Sequence, residues 1–217
     1  MMNKYSYEYP RPAFTVDVIV LRWRKQKLEA LLIKRAKEPF EGKLALPGGF
    51  VDQEESPRDA SVRECLEETT VSINPKKLIE VGVFGAPRRD PRAWTVSITY
   101  IALLPSDTEA VAGDDAREVL WLPWRELISE QHPLAFDHQE MFYAAQETLM
   151  RESLTTSELL SLLTSPFRTR DARYLYRQVW GEEITPRAFK AWLRKVELVE
   201  RVGRALFQAA GHLRRPW

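Results

Sequence analysis

One short helix constrains the fold of this 217-residue chain more than any other segment, because its two faces differ in chemistry. Ser56 and Pro57 predict its start as the N-cap and the first helical residue, and we expect it to run to about Glu68. The turn Pro47-Gly48-Gly49 precedes it. At 3.6 residues per turn, one face can pack on a core, and its members are Val62, Cys65, Leu66 and Thr69.

The opposite face of this helix carries three carboxylates, Glu64, Glu67 and Glu68. Like charges at these spacings repel one another, so the spacing is better explained when a cation lies among them. Hard divalent ions such as Mg²⁺ prefer carboxylate and carbonyl oxygens, which this segment can supply. For a helix with this spacing alone, however, a solvated acidic face is the simpler interpretation.

The residues that flank the carboxylates resemble the Nudix box. The family pattern is glycine, five residues, glutamate, seven residues, arginine-glutamate, an aliphatic, any residue, two glutamates, any residue, a glycine and an aliphatic. Six specified positions are matched at the same spacing, by Gly49, Glu55, Arg63, Glu64, Glu67 and Glu68. Thr70 replaces the family's second glycine, which would serve as a left-handed helix C-cap. The departure therefore concerns the turn more than the metal ligands.

The resemblance implies an α/β Nudix fold, in which a mixed β-sheet lies between helices and a loop-helix-loop holds Mg²⁺ or Mn²⁺ against a diphosphate. Glu64 and Glu68 would be metal ligands together with the Gly48 carbonyl. Glu67 would contribute directly or through water. A metal at this place would neutralise phosphate charge and activate water, which hydrolysis of a pyrophosphate requires.

Further roles follow from the same resemblance. Glu55 and Arg63 would orient the helix, and Gly49 would lie against the substrate. The general base stays open between one of the box glutamates and an acid of the loop 112–115, from which Asp115 is our candidate.

Three other segments, 9–17, 89–92 and 135–138, resemble segments of ADP-ribose pyrophosphatases and of the Nudix-related regulators of NAD metabolism called NrtR. Arg89 and Arg92 are predicted to clamp a diphosphate, because the forked donors of arginine suit phosphate. A merely charged turn is an equal alternative. For His138, packing at a helix N-terminus is as good an interpretation as ligand contact.

The formal net charge of +1 conceals an asymmetry. Residues 166–217 carry twelve Lys and Arg against five acids, whereas residues 1–165 carry 20 against 26. Opposite charges predict units with different partners, and nucleic acid is the candidate partner of the basic unit. We predict a Nudix domain at 1–150, a linker helix at 151–165 and a basic winged-helix-like domain from 166 to the last residue.

Two short helices around Gly181, followed by ribbon-like segments, resemble the winged helix-turn-helix of the same regulators. The candidate DNA contacts of the second helix are Arg187, Lys190, Arg194 and Lys195. Ala188 and Ala191 replace an asparagine and an arginine of the family pattern, which favours phosphate contacts over base readout. A helical appendage or dimer arm with a solvated basic face is the alternative.

Hydrophobic periodicity predicts five strands and four further helices. The strands are expected at 14–21, 28–33, 78–84, 95–104 and 118–122, and the helices at about 138–152, 156–163, 169–179 and 186–196. Cys65, the single cysteine, excludes an intrachain disulfide and suits a reducing compartment. Without an apolar signal region or membrane span, we expect a cytoplasmic protein with no membrane partner.

The leading functional hypothesis is an Mg²⁺- or Mn²⁺-dependent Nudix hydrolase that splits ADP-ribose, or a related nucleoside diphosphate derivative, into two monophosphates. The alternative is an NrtR-type transcriptional regulator that senses ADP-ribose through its Nudix domain and binds double-stranded DNA. Removal of oxidised nucleoside triphosphates is a third interpretation, which leaves the basic domain unexplained. The resemblance also implies a homodimer formed through the N-terminal strand.

Overall fold

A seven-stranded mixed sheet is the main element of the computed structural model, which describes residues 8–113, 116–193, 195–196, 199–202 and 206–209. Its strands are β1 (Ala13–Arg24), β2 (Lys27–Arg35), β3 (Leu44–Ala45), β4 (Gly48–Phe50), β5 (Ile79–Phe84), β6 (Thr95–Leu104) and β7 (Ala116–Pro123). β1 pairs in parallel with β6 and antiparallel with β2 and β4. β7 pairs with β2, and β5 lies at the edge beside β6.

Helices cover both faces of this sheet. They are α1 (Pro57–Thr69), α2 (Trp124–Ile128), α3 (His138–Thr155), α4 (Thr169–Trp180) and α5 (Pro186–Leu193). Alternate residues of β1 serve the two faces, as the pleat requires. Val16 and Val18 pack in one cluster with Cys65 of α1, whereas Ile19 and Leu21 pack in the other with α3. The predicted mixed sheet between helices is confirmed.

The basic part of the chain consists of α4, α5 and a small antiparallel sheet. Its strands are β8 (Phe167–Arg168), β9 (Val199–Arg201) and β10 (Leu206–Ala209), with β10 in the middle. Gly181 ends α4 in the left-handed conformation, with φ at 71°, and so allows the tight turn toward α5. This order of helix, turn, helix and strand ribbon confirms the predicted winged-helix architecture.

The basic part packs on the main sheet through a shared apolar core. Buried Tyr176 of α4 belongs to the same cluster as Phe142 and Leu149 of α3. Tyr176 Oη donates to the Ser153 carbonyl at 3.0 Å, and Trp180 Nε1 donates to Ser153 Oγ at 2.9 Å. The predicted domain boundary at residue 150 falls inside α3, and the division into separate domains stays a prediction.

The segment predicted as a helix at 156–163 is a 3₁₀ helix, Glu158–Leu162, because α3 continues to Thr155 and leaves only a short connection. Its buried leucines belong to the apolar core, and the segment packs against α3 and β6. No helix in the described part of the chain has the length and apolarity to cross a membrane.

Candidate active site

α1 begins where the sequence predicts. Ser56 Oγ accepts a hydrogen bond from the Asp59 N–H at 3.2 Å. Cys65 is fully buried as expected, and burial raises the pKa of its thiol to about 11. The prediction that Leu66 packs beside Cys65 is wrong, since Leu66 is 48% exposed. The helix turns by about 100° per residue, so the sheet contacts the side of Ser61 and Cys65 and leaves Leu66 outside.

Thr70 ends α1 in the left-handed conformation, with φ at 58°. Its N–H donates to the Leu66 carbonyl at 2.9 Å, as in a glycine C-cap. The turn that the family glycine would make is therefore kept, although a β-branched residue is disfavoured in this conformation.

Thr70→Gly should raise the free energy of unfolding by about 0.5 to 1 kcal/mol, because glycine adopts this conformation without strain. Greater flexibility of the unfolded chain offsets part of the gain, as does the loss of the Thr70 hydroxyl that accepts the Val111 N–H at 3.2 Å. Urea unfolding followed by circular dichroism measures the change. Thr70→Ala, which keeps the strain and loses the hydroxyl, should be less stable than the wild type. A Thr70→Gly variant less stable than the wild type would contradict this account.

Arg63 pairs with three carboxylates, one before α1 and two on it. Its guanidinium lies 2.5 Å from Glu55 Oε1, 2.8 Å from Glu64 Oε1 and 3.2 Å from Glu67 Oε2. It also donates to the Phe50 carbonyl at 2.9 Å. The hydrogen bonds from Arg63 lower the pKa of Glu55, and the bonds to Glu55 raise the pKa of Arg63. This contact pattern ties α1 to β4 and suits the orienting role predicted for Glu55 and Arg63.

Glu68 lies on the buried flank of α1. Its Oε2 accepts the Gly48 N–H at 2.9 Å, and burial together with the nearby charge of Glu64 raises its pKa to about 8. Burial also raises the pKa of Glu64, although Arg63 opposes that shift. Glu67 differs from both because its side chain is 57% exposed. The structure therefore brings Glu64 and Glu68 together and leaves Glu67 exposed at the edge of the site.

Two glycines let the backbone approach α1 closely. A Cβ on Gly49 would lie 2.3 Å from Glu64 Oε1, and a Cβ on Gly113 would lie 1.7 Å from the Glu67 carbonyl oxygen. The Gly113 N–H donates to the Glu68 carbonyl at 2.9 Å. The loop predicted to supply a general base thus reaches the C-terminal end of α1. Asp115 itself lies outside the described residues.

The residues here fit a hard divalent cation. Glu64 and Glu68 are adjacent carboxylates with raised pKa values, so their negative charges lack full compensation. Among the described residues, Glu68 makes no ion pair. In the same part of the chain, no group of three or more His, Cys, Asp or Glu side chains lies close enough together to hold a metal ion by side chains alone. Carboxylate and carbonyl oxygens are the ligands that Mg²⁺ and Mn²⁺ prefer. Glu64, Glu68 and the Gly48 carbonyl are the donors that could hold such an ion.

A cavity of about 350 Å³ is lined by Gly48, Glu64 and Glu68 and by cationic side chains. Two of these cations, Arg35 at the end of β2 and Arg92, form what we call the basic wall. Arg35 was not singled out from the sequence, where the only signal was its place two residues beyond a predicted strand. A cavity lined by both cations and carboxylates can hold a phosphate chain together with a metal ion.

Arg89 and Arg92 occupy different environments. Arg92 borders the cavity with its side chain 42% exposed, and Asp90 holds its Nη2 at 2.7 Å. The Arg89 side chain is only 4% exposed and pairs with Asp137 at 2.7 Å. Burial lowers the pKa of Arg89, but the bond to Asp137 together with the charges of Asp17, Asp137 and Asp90 outweighs burial and raises the pKa. Substrate contact by Arg89 stays a prediction, and its described contacts are those of a buried ion pair.

His138 is buried beside the same ion pair. Its Nδ1 accepts the Leu46 N–H at 2.9 Å, so the ring proton belongs on Nε2, which faces Asp17 Oδ1 at 3.3 Å. Ser97 Oγ also donates to Asp17, at 2.6 Å. These contacts favour the packing interpretation of His138, since both ring nitrogens are engaged within the protein.

The predicted DNA-contact residues lie on the basic part. Arg187, Lys190 and Lys195 are exposed, and Arg194 lies outside the described residues. Lys190 also borders a groove of about 590 Å³ between α4 and α5. The other cations of this groove, Arg168, Arg170 and Arg173, were not singled out from the sequence.

Comparison with known proteins gives one family and several relatives. The model of the NUDIX domain matches residues 12–146. The ADPR responsive transcriptional repressor NtrR of Acinetobacter baylyi is 29% identical over 195 residues, which are 89% of this chain and 76% of that protein. The ADP-ribose pyrophosphatase of Methanocaldococcus jannaschii is 42% identical over 140 residues, which are 64% of this chain and 76% of that protein.

Solved structures resemble both parts of the chain. The crystal structure of Shewanella oneidensis NrtR has a TM-score of 0.73 and 28% identity, and the match covers 91% of this chain and 94% of that chain. The same protein complexed with a 27mer DNA has a TM-score of 0.69 and 26% identity.

Proposed function

This chain belongs to the Nudix family, and we propose that it hydrolyses the pyrophosphate linkage of ADP-ribose or a related nucleoside diphosphate derivative with Mg²⁺ or Mn²⁺. The observation that carries the proposal is the pair of half-buried carboxylates, Glu64 and Glu68, which line one cavity together with Arg35 and Arg92. The 42% identity to an ADP-ribose pyrophosphatase supports the choice of substrate.

Each residue of the cavity has a separate task in this proposal. Glu64, Glu68 and the Gly48 carbonyl would hold the divalent ion, which would supply charge neutralisation and activation of water. Arg63 keeps Glu64 in place through its bond at 2.8 Å. Arg92, from the basic wall, would donate to phosphate oxygens and fix the linkage for in-line attack.

The proton acceptor for the attacking water stays open between Glu64, Glu67 and Asp115. The loop before Asp115 reaches the end of α1, because the Gly113 N–H donates to the Glu68 carbonyl. Turnover of Asp115→Asn, compared with turnover of Glu64→Gln and Glu67→Gln, distinguishes these acceptors.

A substrate panel tests the proposal. We expect AMP to be released from ADP-ribose in the presence of Mg²⁺ or Mn²⁺, and much less product to form from NAD or ATP. No AMP release from ADP-ribose across titrations of both metals would overturn the proposal. A preference for nucleoside triphosphates would show that the proposed substrate class, nucleoside diphosphate derivatives, is wrong.

A regulatory role is the second candidate, and the basic groove between α4 and α5 favours it. Arg168, Arg170 and Lys190 place positive charge along one side of the winged-helix part, where it suits the phosphates of double-stranded DNA. The similarity to a transcriptional repressor over 89% of the chain supports this candidate. Assembly as a homodimer and residence in the cytoplasm stay part of the proposal.

Lys190→Gln should weaken binding to duplex DNA to a similar extent for every sequence, because a phosphate contact carries no sequence information. The slope of log affinity against log salt should become shallower by about 1. Fluorescence anisotropy on DNA from the region upstream of the protein's own gene measures both effects. Lys76→Gln, on an exposed turn of the sheet part, should leave the slope unchanged. Equal slopes for Lys190→Gln and the wild type would contradict DNA binding by this groove.

A further inference from the structure

Phe136 has a backbone conformation that bulky residues rarely adopt. Its φ is 53°, in the left-handed region, where the Cβ of an L-residue is crowded. Both neighbours are anchored: the Ala135 N–H donates to the Leu44 carbonyl at 2.8 Å, and Asp137 pairs with Arg89. The surrounding structure therefore imposes this conformation. Strained residues of this kind cluster at functional sites, so the contacts of the Phe136 ring are informative.

Two cations lie close to the ring of Phe136. The guanidinium carbon of Arg35 is 4.9 Å from the ring centroid, and that of Arg92 is 5.5 Å from the same centroid. Phe40 supports the ring in an edge-on contact with centroids 4.9 Å apart. Both cation distances fall within the range of attraction between a guanidinium and an aromatic face. One phenyl ring thus contacts both arginines, and Arg92 also lies 5.4 Å from the centroid of the Phe50 ring.

Two like charges beside one ring repel each other unless an anion binds between them. The environment reflects this repulsion, since burial and then the charge of Arg92 lower the pKa of Arg35. Among the described residues, the only side-chain hydrogen bond of Arg35 runs from Nε to the Pro39 carbonyl, at 2.7 Å. Asp90 engages Nε and Nη2 of Arg92 and leaves its Nη1 without a described partner. Three guanidinium nitrogens therefore remain available to a ligand.

We propose that Phe136 is a positioning residue whose ring holds Arg35 and Arg92 as a two-pronged clamp for the diphosphate of the substrate. This inference rests on the proposed function for the identity of the substrate, but the clamp requires only two adjacent anionic groups. Arg35 and Arg92 also border the small recess that contains Phe136 and His138, so the clamp stands where the recess meets the larger cavity. Glu64 and Glu68 would hold the metal ion, whereas the clamp would hold phosphate oxygens through its arginines.

The clamp acts on the bound substrate before reaction, so its loss should weaken binding rather than slow the chemical step. We expect Phe136→Leu to weaken the binding of inorganic pyrophosphate and of ADP-ribose, both measured by calorimetry in EDTA, by about ten-fold. KM for ADP-ribose with Mg²⁺ should rise by a similar factor, while kcat changes by less than about two-fold. Phe136→Tyr keeps an aromatic face and should retain wild-type values. Phe14→Leu, on a half-exposed phenylalanine outside the cavity, is the matched control.

Each outcome decides for or against the clamp. Wild-type affinity for pyrophosphate in Phe136→Leu overturns it, as does an equal loss in Phe136→Tyr or an absence of pyrophosphate binding by the wild type. Should Phe136→Leu fail to fold, Arg35→Lys keeps the charge and removes the flat guanidinium, and wild-type affinity in that variant overturns the clamp. Ring-dependent pyrophosphate binding without AMP release from ADP-ribose would support the clamp and refute the proposed function. AMP release with unchanged KM in Phe136→Leu would do the reverse.

Discussion

We expect turnover of ADP-ribose to fall by at least about a thousand-fold in Glu68→Gln, because the amide lacks the charge that would hold a divalent ion. The variant should fold, since the glutamine oxygen can still accept the Gly48 N–H that Glu68 Oε2 accepts at 2.9 Å. AMP release at saturating Mg²⁺ measures the loss, and Glu64→Gln should show a similar one.

Glu80→Gln is the control for this experiment. Glu80 is an exposed acid on β5, away from the cavity, so its replacement should leave turnover unchanged. Turnover in Glu68→Gln within ten-fold of the wild type would show that Glu68 does not bind an essential metal ion.

The stability of Glu68→Gln without metal gives a second readout. Burial raises the pKa of Glu68 to about 8 from its ordinary value of 4.5, so the folded protein retains a proton that the unfolded chain releases. The wild type should therefore lose stability as pH rises from about 4.5 to about 8. Glutamine cannot release this proton. In EDTA, Glu68→Gln should match the wild type in Tm near pH 4.5 and exceed it at pH 8; a pH-independent difference would contradict this account.

Asp137→Ala should lower the free energy of unfolding by about 3 kcal/mol, which corresponds to a fall in Tm of roughly 6–12 °C. The variant leaves the Arg89 guanidinium with a side-chain exposure of only 4% and without its partner at 2.7 Å. Asp17 Oδ2 remains 3.7 Å away, which is too far to replace two hydrogen bonds. Thermal unfolding at neutral pH measures the change.

A double variant separates the lost attraction between Arg89 and Asp137 from the cost of leaving the Arg89 charge buried and unpaired. Arg89→Met with Asp137→Leu removes both charges, so it should recover at least half of the stability that Asp137→Ala loses. Asp107→Ala, at an exposed site, should change stability by less than about 0.5 kcal/mol. A double variant as unstable as Asp137→Ala would mean that loss of the attraction within the pair, rather than the unpaired Arg89 charge, causes the loss of stability.

Local chemistry made part of this molecule predictable from its sequence. The Ser56-Pro57 signal placed the start of α1, and alternation of apolar residues located β1, β2, β5, β6 and β7 to within a few residues. Residues close together in the chain, such as Arg63 and Glu64, are brought together by the helix itself. Leu66 was misplaced because the helix period gives a face but leaves its rotation toward the sheet undetermined.

The basic wall could not be predicted in the same way. Arg35 comes from the end of β2, Arg92 from the loop after β5, and Phe136 from the turn before α3, so their contact depends on the register of three distant segments. The short strands β3, β4 and β8 escaped prediction because two or three residues carry no periodicity. The charge asymmetry located the basic part but said nothing of the core that it shares with the sheet.

That shared core limits how such a chain can evolve. A winged-helix unit joined by a flexible tether could be exchanged between proteins by recombination, because only the tether would need to match. Here α4 packs against α3, and the Tyr176 and Trp180 side chains both bond to Ser153. A basic part transferred to another protein would lack the α3 surface against which it packs. We therefore expect α3 and the two units that it joins to be inherited together.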